Sequence, residues 1–129
     1  MTTPFWVLFA VALIPYALAG FGAYQRHAQL GVVDNNDWRT NQLPKLTGAG
    51  SRAYAAQANA WEAVAFFTAA VAVSHLGGAD ADAAATTSLV FLAARIAHAV
   101  CYLADLATLR TIVFLVGWGS CIRLFLLAA

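Results

Sequence analysis

Charge is scarce in this sequence. Charged residues make up 10% of the 129 residues and hydrophobic residues 62%, against roughly 25% and 45–50% in ordinary soluble domains. The net charge is +1, and no basic stripe is present that could meet phosphate groups, so a nucleic-acid partner is not expected. The length leaves room for a single domain, residues 1-129, and the composition indicates an integral membrane protein.

Cysteine and other metal-binding residues are also few. Cys101 and Cys121 both fall inside apolar segments, which predicts small core residues rather than a disulfide or a metal-binding pair. The three histidines are scattered singly, and no metal-ligand spacing occurs. We therefore predict that the protein has no metal site.

Long apolar runs make up most of the sequence. They predict four transmembrane helices, at about residues 3-24, 52-76, 85-107 and 110-128. The polar loop of residues 25-50 is either a flexible connector or a lid, and the sequence leaves both open. Lysine and arginine occur in the first and third connections and not in the second or at either terminus. The positive-inside rule therefore predicts cytoplasmic loops 1 and 3, with both termini outside.

Polar and ionisable side chains interrupt two of the apolar segments. Because a charged side chain at the bilayer centre costs roughly 2.5–3.5 kcal/mol, such residues are expected to face a protein interior or a water-filled cavity. Helical spacing places them in two stripes, one of Arg52, Asn59 and Glu62 and one of Arg95, His98, Tyr102 and Asp105. We predict a polar pocket between the second and third helices, close to Arg110 and open to the cytoplasm.

Purely structural roles are compatible with the same residues. Glu62 and Arg95 have similar expected depths and form a candidate buried salt bridge that fixes helix packing. Asn59 is a candidate for an interhelical hydrogen bond. Arg52, near the expected membrane edge, is interpreted as an anchor whose charged end reaches the interface.

Two segments resemble a known family. The segment from Arg52 to Glu62 (RAYAAQANAWE) resembles the second-helix signature of the MAPEG family, the membrane-associated proteins in eicosanoid and glutathione metabolism. The stretch from Leu89 to Arg110 resembles that family's third helix and the turn into the fourth. The resemblance implies an all-α bundle of four transmembrane helices that assembles as a homotrimer. It also suggests a bacterial-type member in a bacterial inner membrane.

The resemblance also implies an activity, a glutathione transferase or peroxidase. Glutathione would bind as co-substrate in clefts between subunits near the cytoplasmic face, and hydrophobic electrophiles or lipid hydroperoxides would enter from the membrane lipids. Arg110 would stabilise the thiolate, because a cation beside a thiol lowers its pKa. The residues expected to bind substrate or co-substrate are Arg52, Gln57, Asn59, Glu62, Arg95, His98 and Tyr102.

Three departures separate this sequence from the family pattern. Ala55 stands where glutathione-binding members commonly carry an arginine, and His98 stands where they often have a tyrosine. Arg110 also lies one residue further from Tyr102 than in the best-studied enzymes. These departures predict altered glutathione recognition. The alternative hypothesis is a non-catalytic trimer that binds lipid or a protein partner, in which the buried polar residues serve helix packing.

Overall fold

Helices account for the architecture in the computed structural model, which describes residues 1–31 and 33–129. The long helices are α1 (Thr3–Leu30), α2 (Gly48–Leu76), α3 (Ala81–Leu103) and α4 (Ala107–Leu126). The loop between α1 and α2 carries a π-helical turn at Trp38–Gln42 and a 3-10 turn at Leu43–Lys45. The described residues contain no strand, so the predicted all-α class is confirmed for them.

The helix ends differ from the predicted limits because capping groups set them. α1 continues past residue 24 until Gly31, which adopts a left-handed φ of 76° and donates its backbone N–H to the His27 carbonyl. α3 begins at Ala81 rather than 85, because the Asp80 carboxylate caps it and accepts a hydrogen bond of 2.8 Å from the Ala83 N–H. α2 begins at Gly48, ahead of the predicted residue 52.

The connection between α3 and α4 is a Schellman motif. The Asp105 N–H donates to the Tyr102 carbonyl at 3.3 Å and the Leu106 N–H to the Cys101 carbonyl at 2.9 Å. Asp105 takes the left-handed position of this motif, with a φ of 61°, where glycine is usual. The motif ends α3 at residue 103 rather than 107 and lets α4 start at 107 rather than 110. Asp105 therefore lies in the connection, not inside the third helix as predicted.

The core of the bundle is built from aromatic and small side chains. Phe67 of α2 stacks on Phe91 of α3, with ring centroids 4.0 Å apart and planes 5° from parallel. Gly22 allows close approach of α1 to α2, because a Cβ there would lie 2.8 Å from Cζ of Tyr54. Small buried residues of this kind let membrane helices pack closely. Cys101 and Cys121 are buried and free, as predicted. The other buried core residues include Val7, Val11, Ala53, Ala56, Ala60, Val71 and Leu124.

Three of the long helices, α1, α3 and α4, are long and apolar enough to cross a membrane. α2 has 29 residues, which suffices in length. Polar residues in its first half, Asn59 and Glu62 among them, lower its hydropathy. Of the four predicted spans, length and composition thus support three, and the span by α2 stays a prediction.

The loop between α1 and α2 is fastened to the bundle by Arg26, which is only 4% exposed. Its guanidinium donates to the Asp34 carbonyl at 3.2 Å and to the side-chain oxygens of Gln42 and Asn35 at 3.1 Å each. The Trp38 ring lies over the same guanidinium, at 5.0 Å from Cζ to the ring centroid. We refer to these contacts as the Arg26 latch; they hold the loop against the helices.

Candidate functional site

A polar cavity of about 190 Å³ lies between the start of α4 and the facing parts of α2 and α3. Because α3 runs antiparallel to both neighbours, its last turns meet the first turns of α4 and the first half of α2. Four residues singled out in the sequence meet here: Asn59, His98, Tyr102 and Arg110. The remaining wall consists of Thr111 and Phe114. The sequence thus predicted most of this cavity.

Arg110 supplies the positive charge of the polar cavity. Its guanidinium carbon lies 4.3 Å from the centroid of the Tyr102 ring, a cation–π contact. The extra residue between the two positions therefore does not prevent their contact. Among residues 1–31 and 33–129, the pair of Arg52 with Asp105 is the only ion pair, so no carboxylate there neutralises Arg110. An anion in the cavity would meet an uncompensated cation.

His98 lies on the α3 wall of the polar cavity and is buried. Its ring contacts the Tyr102 ring edge to face, with centroids 5.4 Å apart, and lies 6.1 Å from the ring of Phe114. Aromatic packing therefore fixes the orientation of the imidazole. The imidazole ring of His98 is thus one of the rings that line the polar cavity.

Asn59 connects the polar groups of α2 and α3. Nη2 of Arg95 donates to Oδ1 of Asn59 at 2.9 Å, and Nδ2 of Asn59 makes a longer contact of 3.5 Å with Oε2 of Glu62. Arg95 is 3% exposed, and its Nε has no hydrogen-bond partner among the described residues. The candidate salt bridge between Glu62 and Arg95 is therefore wrong as a direct contact, because the side chain of Asn59 lies between them.

An aromatic pocket of about 180 Å³ adjoins the polar cavity. It extends from Asn59, Glu62 and Arg95 toward the opposite end of the bundle. Asn59 and Phe114 line both spaces, so the two are neighbours across a shared wall. The other aromatic walls of the pocket are Phe66, Phe91 and Trp118.

The side chain of Arg52, which belongs to α2, contacts the carboxyl end of α3 and lines neither the polar cavity nor the aromatic pocket. Its Nε and Nη2 donate to the Leu103 carbonyl at 3.3 and 3.0 Å, and its Nη1 lies 3.4 Å from Oδ2 of Asp105. A cation at the carboxyl end of a helix satisfies free carbonyls and complements the helix dipole. The charged end of Arg52 is thus engaged within the chain, and its interpretation as an interfacial anchor stays a prediction.

Gln57 faces a different side of α2 from Asn59. It lines a groove of about 350 Å³ together with Trp38, Arg39 and Trp61. Within one chain, Gln57 therefore does not join the polar cavity.

Sequence reasoning missed Thr111 and Phe114 as walls of the polar cavity. The signal was available, because Phe114 follows Arg110 by one helical turn and so lies on the same face of α4. Sequence reasoning also treated Arg26 only as one of the charges of the first loop. Nothing in the sequence around Arg26 indicates its distant hydrogen-bond partners. No group of three or more His, Cys, Asp or Glu side chains able to hold a metal occurs in the described part of the chain.

Comparison with known proteins supports the resemblance carried by α2 and α3. The MAPEG family profile matches residues 3–129. No curated protein and no solved structure matches the chain.

Proposed function

This chain belongs to the MAPEG family of membrane proteins, which includes glutathione-dependent transferases and peroxidases, and we propose that it is one of these enzymes. Its co-substrate is glutathione, and its second substrates are hydrophobic electrophiles or lipid hydroperoxides that enter from the bilayer. The polar cavity is the binding site for the thiol end of glutathione.

The observation that carries this proposal is the environment of Arg110. Its guanidinium lies against Tyr102 at the cavity wall and has no carboxylate partner among the described residues. A cation close to a thiol favours the thiolate, which is the nucleophilic form. Arg110 therefore lowers the thiol pKa of bound glutathione, and the sulfur then attacks the electrophilic atom of the second substrate.

The remaining site residues divide by position. Asn59 and Tyr102 contact glutathione directly, and His98 shapes the cavity by packing on Tyr102. Arg95 acts through Asn59, because its hydrogen bond fixes the side-chain oxygen of that amide. Gln57 lies on another face of α2, so a role in binding requires that it reach glutathione from a neighbouring subunit.

Assembly as a homotrimer accompanies this proposal, since MAPEG proteins are generally trimers. All four long helices span the membrane, α2 included, with its polar face turned to the protein interior. Arg39, Lys45 and Arg110 lie in or beside loops 1 and 3, which we place in the cytoplasm, with both termini outside. The membrane is a bacterial inner membrane.

Ultraviolet difference absorbance of the glutathione thiolate tests the proposal directly. Glutathione titrated into the purified protein near neutral pH is expected to give a saturable thiolate signal, which Arg110→Ala abolishes while assembly persists. Arg123→Ala, which removes an exposed arginine from the same helix, is the matched control and retains the signal. An undiminished signal in Arg110→Ala would remove this residue from its assigned role.

A second candidate function is a non-catalytic trimer that binds lipid or a protein partner. It is favoured by Ala55, which cannot hold a carboxylate, and by the side-chain bond of Arg95 to Asn59, which lies within the chain. This hypothesis predicts that Glu62→Gln impairs assembly and that the protein does not bind glutathione. Intact trimers in this variant, together with weaker glutathione binding measured by calorimetry, would exclude it.

A further inference from the structure

A further cavity, of about 320 Å³, lies at the end of the bundle opposite to the polar cavity, and we call it the distal pocket. The starts of α1 and α3 and the last turns of α2 surround it, because α2 runs antiparallel to both neighbours. Its volume falls within the range of roughly 300–1,000 Å³ that small-molecule sites occupy. Its walls are apolar at Phe5 and Val71 and polar at Thr3, Ser74, His75 and Asp82.

Ser74 brings a buried hydroxyl without a partner to the wall of the distal pocket. The residue is 3% exposed, and its Oγ makes no hydrogen bond with any described residue. The other buried hydroxyls behave differently, because Thr87, Ser88 and Ser120 each donate to the carbonyl four residues earlier. A buried polar group without a hydrogen bond costs free energy. The Ser74 hydroxyl is therefore free to bind a molecule in this pocket.

The α1 side of the distal pocket attracts negative charge. Thr2 occupies the N-cap position, but its side chain makes no capping hydrogen bond, and the first turn of α1 contains no acidic residue. The N–H of Thr3 has no partner among the described residues, since the first N–H groups of a helix lack a carbonyl within that helix. The start of α1 thus presents a free donor and an uncompensated partial positive charge, which suit an anionic oxygen.

The α3 side of the distal pocket attracts positive charge. Asp82 lies in the first turn of α3, is exposed, and forms no ion pair with any described residue. The cap of this helix is Asp80, so Asp82 is not needed for that purpose. No lysine or arginine occurs in residues 71–85. A cation bound here would therefore meet a carboxylate that nothing else neutralises.

We propose that the distal pocket binds the phosphoethanolamine head of a membrane lipid. The phosphate lies at the start of α1, where the Thr3 N–H and the Ser74 hydroxyl donate to it. The ammonium lies beside Asp82 and donates hydrogen bonds to the carboxylate, which a trimethylammonium group is unable to do. An anionic head without an ammonium is disfavoured, because the Asp82 carboxylate repels it.

The position of the distal pocket favours a lipid over a soluble phosphoamine. α1 and α3, whose first residues line the pocket, are both long and apolar enough to cross a membrane. Their ends therefore lie at the level of the lipid headgroups. Phe5 and Val71 extend the pocket toward the apolar part of the bundle, where the acyl chains continue. This site is separate from the thiol chemistry and does not rest on glutathione binding.

Nuclear magnetic resonance of His75 measures binding at the distal pocket. The His75 ring lines the pocket and packs edge to face on Phe5, with centroids 5.1 Å apart, so a bound headgroup changes its surroundings. The protein has three histidines, and His75→Gln identifies the ring signals of this one by their loss. Dihexanoyl phosphatidylethanolamine, titrated at constant pH into the protein in maltoside micelles, should shift these signals saturably. Dihexanoyl phosphatidylglycerol and phosphatidylcholine should bind more weakly.

Two substitutions with matched controls test the two halves of the site. Ser74→Ala should raise Kd at least about tenfold, the scale of a hydrogen bond to a charged group. Ser120→Ala removes a buried hydroxyl outside the pocket and should change Kd less than about twofold. Asp82→Asn should weaken phosphatidylethanolamine about threefold, the scale of an exposed ion pair, and strengthen phosphatidylglycerol. Asp80→Asn removes the same charge but keeps a capping side chain, and should preserve the preference.

Several outcomes would overturn the inference. Without a saturable shift of the His75 signals, the distal pocket holds no headgroup. Equal Kd values for the three lipids, or equal effects of Asp82→Asn and Asp80→Asn, would remove the ammonium from Asp82. Equally tight binding of free phosphoethanolamine would make the ligand a soluble molecule, and an unchanged Kd in Ser74→Ala would exclude its hydroxyl. By contrast, a missing thiolate signal beside a normal His75 response would refute the proposed function alone.

Discussion

Replacement of Arg26 by methionine should release the loop between α1 and α2 without unfolding the bundle. Methionine keeps much of the apolar stem and leaves no buried charge. The variant loses hydrogen bonds to Asp34, Asn35 and Gln42 and the contact with the Trp38 ring. A net contribution of roughly 1 kcal/mol for each hydrogen bond and for the cation–π contact sums to about 4 kcal/mol. Because such terms are not additive within one network, we expect a loss of about 3 kcal/mol.

Limited proteolysis measures this loss. When opening and closing are fast, the cleavage rate follows the population of the open loop. A loss of about 3 kcal/mol then corresponds to a roughly 150-fold faster cleavage. Chymotrypsin cleavage within residues 33–47, identified by the masses of the fragments, reports the rate. The helices should remain intact over the same period.

Arg39→Met provides the control for the Arg26 latch. The Arg39 guanidinium lies 5.2 Å from the centroid of the same Trp38 ring, but this side chain is exposed. An exposed cation–π contact of about 0.5–1 kcal/mol predicts at most a roughly fivefold change in cleavage. Arg26→Met cleaved at the original rate, or no faster than Arg39→Met, would refute the assignment of the loop's stability to the hydrogen bonds of Arg26.

Two further substitutions probe contacts between the helices, with thermal unfolding of the purified protein as the measurement. Asn59→Leu leaves buried Arg95 without its hydrogen-bond acceptor and should lower the free energy of unfolding by about 2 kcal/mol. Asn59→Asp supplies a carboxylate as acceptor and should recover most of that loss. Similar losses in both variants would contradict the role given to this hydrogen bond. Gly22→Ala places a methyl group 2.8 Å from Cζ of Tyr54 and should lower the free energy of unfolding by about 1–3 kcal/mol. Gly20→Ala is the control, because a Cβ there meets nothing within 4 Å. Equal effects of the two substitutions would refute the close approach of α1 to α2 at Gly22.

The helices were readable from the sequence because apolar runs of sufficient length leave few alternatives. Their ends were not, since single capping residues decide them. Asp80 is a recognisable cap. Asp105 is not, because the left-handed position at a helix end is usually filled by glycine or asparagine. The predicted third helix consequently ran on through Asp105.

The convergence of polar residues was likewise predictable from helix direction and depth, but their pairing was not. Glu62 and Arg95 were expected at similar depths in α2 and α3, and both line the aromatic pocket. Which oxygen accepts a hydrogen bond from the Arg95 guanidinium depends on side-chain length and rotamer. The short amide side chain of Asn59 accepts it, and the carboxylate of Glu62 does not. The role of Arg26 lay beyond sequence reasoning, because its partners belong to a loop with no periodic pattern.

The short connection between α3 and α4 sets the rotational phase of the fourth helix. One inserted residue in this turn would rotate α4 by about 100° and shift it by about 1.5 Å along its axis. Leu109 would then occupy the place of Arg110, and an apolar side chain would replace the cation of the polar cavity. Because the left-handed Asp105 closes the turn through backbone hydrogen bonds, this phase is determined before any ligand arrives. A change of a single residue in loop length would therefore alter the chemistry of the cavity while leaving every one of its wall residues in the chain.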